Sequence, residues 1–124
     1  MDGVGKTTWV IADGYLPAWS TGREPEMTSH EAFCVLNAGD RPAIVEVMVY
    51  YADRDPSGPF RVTVEGKRNR HVRFNDLVDR EVLPLSADYA AVIRSNVPVV
   101  VQHTRLDSRQ AENGLFSTIA YPAG

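Results

Sequence analysis

Apolar and polar residues alternate with a period of two along most of this chain. The run EAFCVLN (residues 31–37) leads into the turn cluster NAGDRP and then into AIVEVMVYY (43–51), which predicts two strands joined as a hairpin. The Asp-, Pro- and Gly-rich DRDPSGP (53–59) predicts another turn, FRVTV (60–64) alternates cleanly, and RHVRF (70–74) predicts a strand that ends at Asn75-Asp76. Residues 79–86 are irregular and contain a proline. Beyond them, residues 89–94, a turn at Ser95-Asn96 and residues 98–103 predict a second hairpin, and residues 115–121 the last strand. With WVIA (9–12) near the start, this makes eight short strands with turn signals about ten residues apart, the pattern of an all-β, single-domain β-sandwich of jelly-roll type. No long helix is expected; SRQAENG (108–114) has the composition of one helical turn, capped by Ser108 and stopped at Gly114. The run VPVVV (97–101) is apolar on both sides of the strand, which predicts burial by a second sheet and by a neighbouring subunit.

Composition narrows the classes of function. A chain of 124 residues is expected to make one domain, residues 1–124, with little room for a second core. Sixteen acids against thirteen Lys and Arg argue against a dedicated nucleic-acid binder, which carries a basic excess. The one cysteine, Cys34, excludes an intramolecular disulfide, and its apolar neighbours predict a buried thiol in a reducing cytoplasm. The first residues lack the charged, apolar, then small pattern of a signal peptide, and no stretch reaches the ~20 apolar residues that cross a bilayer.

The opening GVGKTT looks like a phosphate loop, but that loop needs a strand before it and a helix after it. Here no residue occupies the place of the leading glycine, and Trp9-Val10-Ile11-Ala12 reads as a strand, so a nucleotide site is not expected. His30, His71 and His103 have no metal-ligand spacing, and the H-x-H of a metal-binding jelly roll is missing, so neither metal nor cofactor is expected. Cys34 has no catalytic signature and no serine lies in a G-x-S-x-G elbow; with no nucleophile beside an activating base, the expectation is a non-enzyme. Asp53 and Asp55 fit a solvated turn.

Two polar clusters remain. KRNRHVR (67–73) is basic, but strand alternation divides it between two faces, as in a charged edge strand guarded against pairing. QHTRLDSRQ (102–110) places hydrogen-bonding side chains directly after an apolar strand, either as a binding rim or as an Arg-Asp network at a loop or subunit interface. His30 and Glu31 open one strand, Arg73, Asn75 and Asp76 close another, and Gln102, His103, Arg105 and Asp107 end a third. Strand ends of one polarity gather at one rim of a sandwich, so these nine residues are expected to converge on one polar pocket.

SHEAFCVLNAGD, VYYADRDPSGPFRVTV, RHVRFNDL and above all SNVPVVVQHTRLDSRQAENGLFSTIAY closely resemble the sensory rhodopsin transducer family, over residues 5 to 121. In that family the sequence opens on a glycine, a basic residue, threonine and tryptophan before A-x-G-Y-x-P. Gly5-Lys6-Thr7 and Trp9 therefore look like the start of the first strand, and Asp13-Gly14-Tyr15-Leu16-Pro17 like the turn after it. The family continues into a short polar tail where this sequence closes on Tyr121-Pro122-Ala123-Gly124. The resemblance implies a β-sandwich protomer in a fourfold cytoplasmic homotetramer, and non-enzymatic signalling from a membrane photoreceptor, a sensory rhodopsin. It also implies an alternative, a small-molecule module binding a sugar-like ligand, in which aromatic Trp9, Tyr15 or Trp19 would stack on a ring while Asn, Arg and Asp side chains bond its hydroxyls.

Overall fold

The computed structural model describes residues 3–15, 30–74, 77, 88–107 and 114–124. Eight strands are seen: β1 (Lys6–Tyr15), β2 (His30–Asn37), β3 (Ala43–Tyr51), β4 (Ser57–Val64), β5 (Arg68–Arg73), β6 (Asp88–Asp107), β7 (Gly114–Ile119) and β8 (Tyr121–Pro122). All pairings are antiparallel and the sheet does not close on itself. One layer runs in the order β4-β3-β6-β1-β8 and the other in the order β5-β2-β6-β7. Strand β6 belongs to both. Its first half lies between β1 and β3, and from Val100 onward it pairs with β2, with β7 joining on its other side from Gln102.

The second hairpin expected from sequence is therefore this one strand of 20 residues, and Ser95-Asn96 does not reverse the chain. The local chemistry of a turn is present but serves a bend. Asn96 Oδ1 accepts the Ile44 N–H at 2.7 Å and Ser95 Oγ accepts the Val97 N–H at 3.3 Å. Against β1 the register slips between Thr8↔Arg94 and Lys6↔Val99, and there the strand leaves one layer for the other. Two further boundaries differ. β1 runs through Asp13-Gly14-Tyr15, absorbing an irregularity between Ile11 and Gly14 where a turn was expected, and β4 already begins at Ser57 inside the expected turn. The last strand divides at Ala120 into β7 on one layer and β8 on the other. The helical turn at 108–114 falls on residues outside the described ones up to Gly114, which opens β7.

The core lies between the layers, built from one face of each strand. Trp9 and Ile11, Val45, Val47 and Val49, and Ala91 and Ile93 face Phe33, Val35, Val72, Val99 and Val101. Phe74 joins the two layers: its ring centroid is 5.1 Å from that of Phe33 on one and 5.1 Å from that of Tyr89 on the other, both pairs tilted. The β2–β3 connection hangs on Asn37, which is fully buried. Its side-chain amide donates to the carbonyls of Arg41 at 2.8 Å and Val64 at 3.0 Å, and its Oδ1 accepts the Gly39 N–H.

The start of β1 explains the phosphate-loop look. Gly5 has φ +98°, and a Cβ there would collide with the Val99 carbonyl, so glycine is needed for β1 to approach the bend of β6. Lys6 and Thr7 are strand residues, and the Trp9 indole N–H donates to the carbonyls of Lys6 at 3.0 Å and Val99 at 3.1 Å.

Phe74→Ala is expected to lower the unfolding free energy by about 3–5 kcal/mol, as for a fully buried aromatic that leaves a cavity. Urea titration measures it; a loss below about 1 kcal/mol would show that the ring does not tie the layers together. Asn37→Ala leaves buried carbonyls without a donor and should cost about 2–3 kcal/mol by the same measurement.

Candidate functional site

The ladders bring the described strand ends at His30, Glu31, Arg73 and residues 102–106 to one end of the β5-β2-β6-β7 layer. The ladder places His30 opposite Leu106, Glu31 opposite Arg105, and Ala32 between Thr104 and Arg73. Residues paired across antiparallel strands share a face, and the faces alternate. The expected single pocket is thereby divided. Positions 31, 103, 105 and 107 fall on the inner face with Phe33 and Val101, whereas positions 30, 73 and 102 fall on the outer face. His103 is 5% exposed, Arg105 is half-buried and Gln102 is exposed, as this division requires. Of His30, Glu31 and Asp107 only the backbone positions are described, and Asn75 and Asp76, like Trp19, lie outside the described residues. Trp9 is 3% exposed and spends its indole N–H on two backbone carbonyls, so the structure places it in the core, away from a surface on which a ring could stack.

The inner-face residues open into a cleft of ≈ 340 Å³ between the layers, lined by Val10, Ile11 and Ala12 of β1, His103 and Arg105 of β6, and Thr118, Ile119, Ala120 and Tyr121. Ala120 closes one end: its N–H donates to the Val101 carbonyl at 3.1 Å where the chain crosses from β7 to β8. The mouth carries two apolar side chains held in water, Ile119 at 61% and Tyr121 at 69% exposure. Beside His103, Ser117 Oγ donates to the His103 carbonyl at 3.2 Å and lies 3.0 Å from Thr104 Oγ1. The described residues that line the cleft include the Arg105 guanidinium and the His103 imidazole. The size and the mix of apolar walls with a few polar groups suit a small ligand or a short extended segment. Sequence reasoning missed the whole β1 and β7–β8 wall, because nothing in those runs announces that they meet.

The outer face holds a thiol and an imidazole. Cys34 Sγ lies 3.1 Å from His71 Nδ1, and partial burial pushes the thiol above its ordinary range. Among the described residues no group of three His, Cys, Asp or Glu could hold a metal ion. The basic run forms edge strand β5 and is engaged within the domain. Lys67 pairs with Asp40 at 3.2 Å, holding that carboxyl below its usual range by a hydrogen bond and by charge, and Arg70 donates to the Thr63 carbonyl of β4 at 2.9 Å. No helix among the described residues is long and apolar enough to cross a membrane.

With this geometry established, similarity to known proteins decides the family. The family model of the Anabaena sensory rhodopsin transducer matches residues 4–122. The chain belongs to the sensory rhodopsin transducer family. Among solved structures, the Anabaena sensory rhodopsin transducer is 56% identical, with a TM-score of 0.77 over 90% of this chain and 96% of that one. A Thermotoga maritima protein, 1070, is 32% identical, with a TM-score of 0.81 over 94% of both chains. No curated protein sequence matches. As a transducer-family domain the chain shares its sandwich with both structures.

Raised by burial, the Cys34 thiol supplies less thiolate at any pH near neutrality than a free thiol. Its reaction with a disulfide reagent at pH 8 is expected to be at least tenfold slower in the folded protein than in urea; equal rates would show the thiol to be open. The sign for stability follows from the same shift. The stabilisation is present below the unfolded thiol pKa and falls as pH rises through the folded one.

Proposed function

We propose that the domain is a non-enzymatic relay, which binds the cytoplasmic side of a sensory rhodopsin as a fourfold homo-oligomer and passes the receptor's state to a further partner. The observation that supports it is the 56% identity to the Anabaena sensory rhodopsin transducer over nearly the full length of both chains. A relay requires different affinities for the two receptor states, since a ligand that binds both equally shifts nothing. A tenfold difference corresponds to about 1.4 kcal/mol.

A second reading is favoured by the cleft. Arg105, His103 and Thr118 beside an exposed Tyr121 are the groups that bond hydroxyls and stack on a ring, as a sugar-like small molecule would need. The two roles are compatible in one domain.

Calorimetric titration of the purified protein, with its mass fixed by light scattering in the same buffer, separates them. Saturable binding to a detergent-solubilised sensory rhodopsin, with affinity changing on illumination, is the expected result; light-independent binding, or none, refutes the relay. Heat on titration with mono- or disaccharides instead assigns the sensor role. Arg105→Ala should lower sugar binding at least tenfold with the mass unchanged if the cleft is the site, whereas a fall in mass would place Arg105 in a subunit interface.

A further inference from the structure

The open edge of β4 has a direction fixed by two hydrogen bonds. Among the described residues β4 pairs with β3 alone. Ile44 of β3 gives its N–H to Asn96 Oδ1 of β6 at 2.7 Å, so the backbone groups of Ile44 face β6. On its other side Ile44 is paired with Thr63, and a strand residue whose opposite number faces away turns its own N–H and carbonyl outward, to the open side of β4. The Thr63 carbonyl is found there, accepting the Arg70 guanidinium of β5 at 2.9 Å. Arg61, two residues earlier and paired with Glu46, faces the same way. Pro59, two residues earlier again, has no N–H, so the stretch able to extend a ladder is Arg61 to Thr63.

This edge is closed by a side chain and not by a strand. Beside it Phe60 and Val62 pack against the core and are only half-buried. Charge is unbalanced around the turn at 65–67. Glu46 is taken by Arg61 at 3.5 Å and Asp40 by Lys67 at 3.2 Å, while Arg68 and Arg70 donate to the backbone carbonyls of Lys67 and Thr63. Arg68 and Arg70 stand two residues apart on β5 and so share a face, and with them the exposed Arg41 outnumbers the one remaining carboxylate of that region among the described residues, Glu65.

We propose that the β4 edge accepts an extended acidic segment of a partner protein as an added strand, with Arg70 as its gate. A carboxylate on the incoming strand draws the guanidinium off the Thr63 carbonyl, and the freed carbonyl joins the ladder with the Thr63 N–H and the backbone of Arg61. An apolar side chain of the segment covers Phe60 and Val62. Main-chain bonds supply the affinity of such an addition and alternate side chains its selectivity. The same requirement keeps copies of this chain apart, since two β4 edges would set arginine against arginine. The proposal rests on the reading of the domain as a protein-binding relay and names the mode of docking.

The test selects a displayed library of random octapeptides against the full chain and measures the enriched peptides, once synthesised, by fluorescence anisotropy. Enriched sequences should carry Asp or Glu, and their Asn or Gln counterparts should bind about tenfold more weakly. Amide exchange followed by NMR locates the added strand: in the complex the Arg61 and Thr63 N–H groups should exchange about tenfold more slowly. Thr63→Pro removes the outward donor at a position where proline spares the ladder to β3, and should abolish binding with the circular dichroism unchanged. Should that variant misfold, Arg70→Gln carries the test: the preference for acidic over amide peptides should fall about fivefold, with the amide peptides bound no more weakly than before. No enrichment, enriched peptides without an acid, enrichment of the chain's own strand sequences, protection confined to other strands, or an acidic preference indifferent to Arg70→Gln overturns the proposal. Titration with rhodopsin separates the two readings. Rhodopsin binding without peptide binding overturns strand addition and leaves the relay standing; peptide binding without rhodopsin binding supports strand addition and removes the relay.

Discussion

The structure depends on one strand serving two sheets. β6 supplies the centre of the β4-β3-β6-β1-β8 layer with its first half and the centre of the β5-β2-β6-β7 layer with its second. Its bend at residues 95–98 therefore fixes how the two layers face each other and which side chains meet between them. The devices that hold this bend come from three elements: the Asn96 side chain bonded to the backbone of β3, the glycine that lets β1 approach Val99, and the Trp9 indole on the Val99 carbonyl. Trp9 is thus an anchor of the fold. Its polar tip is satisfied where an open strand bend would otherwise leave a buried carbonyl bare.

Much of this was legible in the sequence, and the failures have local causes. Period-two runs gave β2, β3 and β4 within a few residues, because each has one buried face. Ser95-Asn96 misled because the side-chain bonds that favour a reversal also stabilise a bulge, and only the register with β1 and β3 distinguishes them. The apolar run at 97–101 signalled burial on both sides, whereas Val97, Val99 and Val101 are buried and Pro98 and Val100 are only half-buried. Asp13-Gly14 misled in a similar way: glycine there is demanded by the Tyr89 ring packed over it.

For the candidate site, strand positions in the sequence could not give the division between faces that the ladders show. Strand ends could be paired by position, but assigning Gln102 and Arg73 to one face and His103 and Arg105 to the other needs the phase of two ladders, which depends on where each bulge falls. The opposite wall was beyond reach because β1 and β7 are far apart in sequence and meet only through the crossing of β6. Membership of the transducer family was carried by long strings and not by any catalytic spacing.

The crossing at Ala120 has a mechanical meaning. One residue separates a strand bonded to the β6 half of one layer from a strand bonded to β1 of the other, and its N–H is tied to Val101 in the core. The two lips of the cleft are therefore joined at their closed end through a single residue, so any strain between β7 and β8 falls on Ala120 and its bond to the core.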